Sequence, residues 1–221
     1  MESLKKSSPI FSKVFKFVLM LVIILFVTVT LISIGVPKWI AFTIIIIGYI
    51  FYTAIWPAHI IYRAKSIALI HRYVKSNAHQ PIFGYPNALG MKESEEKIEV
   101  ALKRIINEFA DVKDLYRALL AFHQKDSKAL MESAENIEDV AYKNYYKGLA
   151  FVLKGQIDYA FELEPKIDVK WMRHALRANI AKKRDNLEKF KEEARLAEES
   201  ARGIQRYTLH HQIKLWEQDF K

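Results

Sequence analysis

Cysteine is absent from the 221 residues, which excludes disulfides, thiolate zinc centres and cysteine nucleophiles together. Glycine and proline are scarce, at 7 and 6, and no useful length alternates apolar and polar residues with period two. Sheet is therefore disfavoured, and long runs of helix-forming residues predict an all-α chain. Catalytic signatures are missing as well. The chain has no Gly-rich phosphate loop, no Gly-x-Ser-x-Gly elbow and no His-Glu-x-x-His, the arrangements that cradle phosphate, expose a nucleophile or hold zinc. The adjacent His210 and His211 point about 100° apart on a helix and do not converge on one metal. The pairs Glu95-Glu96, Glu192-Glu193 and Glu198-Glu199 read as solvated helix faces. No catalytic, cofactor or metal site is expected, and the chain is not expected to be an enzyme.

Charge is scarce over one long stretch. Phe17 to Val36 and Trp39 to Tyr62 contain no Asp, Glu, Lys or Arg, and each reaches the roughly 20 residues that a helix needs to cross a bilayer core. Gly35-Val36-Pro37-Lys38 lies between them and suits a helix stop and a tight turn. The expectation is a transmembrane hairpin at 17–62, retained and not a cleaved leader.

The formal net charge of +9 divides unevenly. Residues 1–76 carry nine basic side chains against Glu2 alone, while 77–221 carry 25 basic and 24 acidic ones. A nucleic-acid binder would place its excess on the folded domain, so nucleic acid is not expected as a partner. Lys5, Lys6, Lys13 and Lys16 flank one end of the hairpin, and Arg63, Lys65, Arg72 and Lys75 flank the matching end. By the positive-inside rule both termini are cytoplasmic, and the very short turn fits a bacterial inner membrane. Trp39 and Trp56 are placed to anchor the two interfaces.

Residues at equal depth in the hairpin have numbers summing to about 75. That places Thr28, Thr30, Thr43 and Gly48 at a close helix contact, and replacing Gly48 with leucine should then loosen the pair. The threonine hydroxyls have an equally good alternative in their own helix carbonyls. Residues 63–76 read as a basic amphipathic helix, with Ile67, Ile70 and Val74 on one face, suited to anionic headgroups. Asn77 to Lys92 holds Pro81, Gly84, Pro86 and Gly90 and reads as a linker, although Ile82, Phe83, Tyr85, Leu89 and Met91 would be costly to leave wet.

From residue 93 to 221 amphipathic helices follow one another. Ile98, Leu102, Ile105 and Phe109 form one apolar stripe, and Leu115, Ala118, Leu119 and Phe122 the next. Gly148, Phe151, Gly155 and Ala160 stand as a small residue, an aromatic three on, a glycine break and an alanine in the next helix. This resembles a unit of the tetratricopeptide-repeat family. Ala118, Ala121 and Leu130 echo it upstream, and Trp171, Ala175, Ala178, Leu187 and Ala194 downstream. The resemblance covers about residues 112–200 and departs from the family in spacing: Ala118 to Gly148 is 30 residues and Gly148 to Ala175 is 27, against about 34.

The resemblance implies helical hairpins stacked as an α-solenoid, with a concave face for a partner's segment; a compact helical bundle is the alternative. Leu209, Ile213, Trp216 and Phe220 form a last stripe that either docks on the chain's own core or meets a partner. The functional expectation is a membrane-tethered adaptor that binds a protein. The alternatives are an accessory subunit of a transport, secretion or envelope complex, or a small membrane-active or immunity-type protein.

Overall fold

A computed structural model describes residues 22–220. The basic N-terminus 1–16 and the first residues of the first apolar run, 17–21, lie outside the described residues. The described chain is helical, without a strand, and divides into two compact units, one ending at Ala58 and one beginning at His59.

In the first unit α1 (Val22–Ser33) ends in a turn in which Gly35 N–H donates to the Ile32 carbonyl and Val36 N–H to that of Leu31. Pro37 then precedes α2 (Lys38–Ile50). The backbone widens into a π-helical turn at Phe51–Ile55, just before Pro57. Proline removes an N–H and crowds the carbonyl four residues earlier, and a wider turn relieves that crowding. The helix resumes as α3 (Trp56–Tyr62). The helical stretch Lys38–Tyr62, 25 residues with a mean hydropathy of 1.9, is long and apolar enough to cross a bilayer, while Val22–Ser33 is apolar but shorter.

Ile23, Ile24 and Val27 of α1 and Ile44, Ile45, Gly48 and Tyr49 of α2, with Tyr52 beyond it, line one apolar cleft. The threonines do not bridge the helices. Thr28, Thr30 and Thr43 donate to the carbonyls of Ile24, Phe26 and Trp39 at 2.7, 2.8 and 2.9 Å, because a hydroxyl in a helix reaches its own preceding turn without any partner. A Cβ at Gly48 would meet nothing within 4 Å. The expectation for that position is accordingly reversed. Gly48→Leu should leave thermal unfolding in detergent micelles unchanged or raise it, by up to about 1 kcal/mol from helix propensity; a clear drop would restore a close contact there.

The second unit takes in the end of α3 and then α4 (Ile67–Ser76), capped by Ser66, whose hydroxyl accepts from Leu69 N–H. The expected membrane-surface role for its apolar face is corrected by packing. Ile70 and Val74 are fully buried in a cluster with Phe83 and Tyr207, so that face is covered by the chain's own helices. Arg63, Lys65, Arg72 and Lys75 remain exposed.

The expected linker 77–92 is also corrected, since it contains α5 (Pro81–Gly90). Pro81 stands in the first turn, where its missing N–H costs nothing, and burial of Phe83, Tyr85 and Leu89 outweighs the helix-breaking character of Pro86.

Helices then alternate in hairpins: α5 with α6 (Glu95–Glu108), α7 (Lys113–His123) with α8 (Ser127–Glu135), α9 (Val140–Lys154) with α10 (Ile157–Leu163), and α11 (Lys170–Lys183) with α12 (Leu187–Ser200). The turns are built alike. Lys92, Lys125, Gly155 and Asp185 have positive φ, and the residue after each donates to the carbonyl five positions back, at Ala88, Ala121, Phe151 and Ala181. This is the Schellman closure of a helix.

The last three hairpins keep a spacing of 30 residues. Ala118, Gly148 and Ala178 are buried at equivalent points of the first helix, and Leu130, Ala160 and Phe190 at equivalent points of the second. The partner of Gly148 in the following hairpin is thus Ala178, not Ala175. Finally α13 (Gly203–Gln218) packs on α12 and returns to α5 and α4. Gly203 N–H donates to the Ala64 carbonyl at 2.8 Å.

Candidate functional site

Beyond its packing on α4, α5 and α12, α13 reaches the first, inner helices of the hairpins by side chains, Trp216 meeting Phe122 of α7 and Gln205 meeting Tyr142 of α9. Between them is a cleft with a cavity of about 140 Å3, lined from α5, α7, α9, α11 and α13 but by no residue of α6, α8, α10 or α12. The expected C-terminal stripe forms part of this closure. Leu209 and Trp216 are buried and Ile213 and Phe220 half-buried against the same core. Trp216 meets Phe122 edge to face at 6.1 Å, and Phe220 meets Phe190 at 5.0 Å.

Polar anchors hold α13 in register. Gln212 Nε2 donates to Tyr85 Oη at 2.6 Å, and Gln205 Nε2 to Tyr142 Oη at 2.9 Å. The two glutamines are seven apart, two helical turns, so they leave α13 on the same side. Tyr85 also meets His123 Nε2 at 2.9 Å. Burial lowers the His123 pKa to about 4, so its imidazole is neutral at pH 7; in the tautomer protonated on Nδ1 its Nε2 accepts the Tyr85 proton, which leaves Tyr85 Oη to accept from Gln212. Desolvation, the largest influence, raises the phenols of Tyr85, Tyr145 and Tyr146, and that of Tyr116 to about 12. All are neutral hydroxyls in the cleft.

A second polar cluster joins α11 to α12. Glu193 is buried and accepts at 2.7 Å from His174 Nδ1, with Lys189 Nζ at 3.2 Å and Arg177 at 4.0 Å. Arg177 also bonds Glu164. Glu193 belongs to one of the three acidic pairs expected on solvated faces; it is buried instead, beside the cations Lys189 and Arg177 and the hydrogen-bonding imidazole of His174, the pairing a buried carboxylate requires. Neither Glu193 nor His174 lines the cleft. The cluster clamps two helices and presents no reactive group.

The repeat-packing residues fall at the hairpins themselves. Gly148 lies where a Cβ would come within 2.9 Å of Leu176 Cδ2. Phe151 stacks on Tyr159 with centroids 5.4 Å apart, Gly155 takes φ +77°, and Ala160 is fully buried. Trp39 and Trp56 are exposed, at 71% and 43%.

Tyr85, Tyr116, Tyr142, His123, Gln205 and Gln212 were not legible as a group. Eleven tyrosines in 221 residues were the available signal, but at helical spacing an aromatic reads as core. Among the described residues no group of three or more His, Asp or Glu is placed to hold a metal ion. No protein-family model, curated protein or solved structure matches this chain.

Proposed function

We propose that the chain is a membrane-tethered adaptor. In this reading the hairpin 17–36 and 39–62 is the anchor, both termini are cytoplasmic, and the helical hairpins, similar to tetratricopeptide repeats, hold a protein partner. The observation that carries the reading is that the inner helices already grip an amphipathic helix, α13, through two Gln–Tyr bonds and a buried Trp216. A groove that takes one such helix has the chemistry to take a partner's. The likeness to tetratricopeptide repeats lies in the small residues where helices meet and in the recurring turns; the 30-residue spacing is shorter than the family's. Exposed Arg63, Lys65, Arg72 and Lys75 supply a basic collar for anionic lipid.

A second reading, an accessory subunit of a larger membrane complex, is favoured by the apolar cleft of the first unit. Ile24, Val27, Ile44, Gly48 and Tyr49 line it, and a helix of another membrane protein could fill it.

The natural absence of cysteine makes topology directly measurable. Single cysteines at Ser7, Lys38 and Lys125 should react with an impermeant maleimide from opposite sides: Lys38→Cys in intact cells, the other two only after permeabilisation. Lys38→Cys and Lys125→Cys reacting from one side would refute the anchor. A photocrosslinking residue at Gln205 should then trap a protein partner if the chain is an adaptor, and one at Tyr49 if it is a subunit.

A further inference from the structure

The cleft closed by α13 has unused capacity. Its remaining volume, about 140 Å3, matches that of an apolar cavity known to admit benzene, about 150 Å3. Unlike such a cavity it is lined by tyrosine hydroxyls. Tyr85 is engaged by both Gln212 and His123, and Tyr142 accepts from Gln205. Among the described residues no hydrogen bond reaches the hydroxyls of Tyr116, Tyr145 or Tyr146, although Tyr145 and Tyr146 are buried. Their hydroxyl oxygens are not enclosed, since among the described residues the buried side-chain atoms without a partner are Arg206 Nε and His211 Nε2; these hydroxyls face the open cleft and can donate to what occupies it.

No charged side chain lines the cleft. An anion would find no cation, and a cation no carboxylate, in a site where transferring either from water is costly. Aromatic faces are plentiful, since Trp171 meets Tyr145 at 5.7 Å and Tyr142 at 6.5 Å, both steeply tilted. The mouth lies at Tyr142 and Gln205, which are half-buried and exposed, and the floor at buried Tyr145, Tyr146 and Leu209.

We propose that this cleft binds an uncharged, ring-sized molecule carrying an oxygen acceptor, stacked among Tyr145 and Trp171 and hydrogen-bonded by the free tyrosine hydroxyls, with α13 as the closing wall. Such a ligand ties α13 to the inner helices and so favours the closed groove.

The test uses the full chain in detergent micelles, titrated calorimetrically with benzamide and phenol, and with benzoate and tetramethylammonium as charged counterparts. The neutral rings should bind and raise the unfolding temperature, and the charged probes should bind at least tenfold more weakly. A Tyr145→Phe/Tyr146→Phe variant keeps both rings and should weaken benzamide about tenfold, the effect of one lost hydrogen bond. Thr208→Leu, which fills the cleft, should abolish binding; if it unfolds the chain, the phenylalanine variant decides alone. The proposal is overturned if neither neutral ring binds at millimolar concentration, as for a cleft that holds only water. Equal binding of a charged probe, or unchanged affinity in the phenylalanine variant, overturns it as well.

Discussion

Gly203→Ala is expected to cost the second unit roughly 3–5 kcal/mol, combining an unfavourable left-handed backbone with a steric clash. Gly203 has φ +56°, where an L side chain is strained. A Cβ there would also lie 1.8 Å from the Ile61 carbonyl oxygen and 2.8 Å from Tyr62 N. These are backbone atoms and cannot rotate aside. Separating the strands of chain would break the Gly203–Ala64 hydrogen bond that sets where α13 begins, so Tyr207, Leu209, Gln212 and Trp216 would all lose register against the inner helices. Out of a usual total of about 5–15 kcal/mol, that loss is large enough to free α13. Gly155→Ala is the matched control. Its φ is +77°, but a Cβ would meet only Lys183 Cε at 3.8 Å, so about 1 kcal/mol of backbone strain is expected alone. Chemical denaturation of both variants, followed by circular dichroism, measures the difference. Equal losses would show that the approach of Gly203 to Ile61 contributes nothing.

That dependence on one glycine explains what could be read from the residues and what could not. Periodicity marks the helices from α6 to α13 because each buries one stripe and wets the other, so Ile98, Leu102 and Ile105 betray their face without help from the rest of the chain. It fails at α5, where Pro81, Gly84 and Pro86 carry breaker chemistry and only tertiary burial of Phe83, Tyr85 and Leu89 makes the helix worthwhile. It fails again at the 30-residue register. Gly155 announces its turn, but Lys125 and Asp185 adopt the same backbone without the residue type that advertises it. For α4, an apolar face covered by α5 and α13 is written no differently from one that lies on lipid. The cleft was the least legible feature. Tyr85 and Gln212 are 127 positions apart, and nothing local to either announces the other.

The same long-range contact makes the domain acid-sensitive. His123 is neutral in the fold with a pKa near 4, depressed chiefly by burial and only partly offset by Glu99, whereas an unfolded histidine titrates near 6.5. Above pH 6.5 neither state is protonated and the histidine has no effect on stability. Between 6.5 and 4 the unfolded chain binds a proton that the folded chain excludes, so stability falls with falling pH. The loss from this one group is roughly 2 kcal/mol by pH 5 and roughly 3 kcal/mol by pH 4. His211 adds in the same direction, its pKa also lowered to about 4 by burial and by His210, Lys214, His71 and Lys92. When His123 does protonate, its Nε2 ceases to accept from Tyr85, and the Gln212 anchor on the same hydroxyl is strained with it. Acid should therefore loosen α13 before the outer helices, read as faster amide exchange in 205–216 than in α8 or α12 at pH 4, where the folded histidine titrates. A His123→Gln variant, which can accept but not titrate, should flatten the stability profile between pH 6.5 and 5 by roughly 2 kcal/mol. An unchanged slope in that variant would place the acid sensitivity elsewhere.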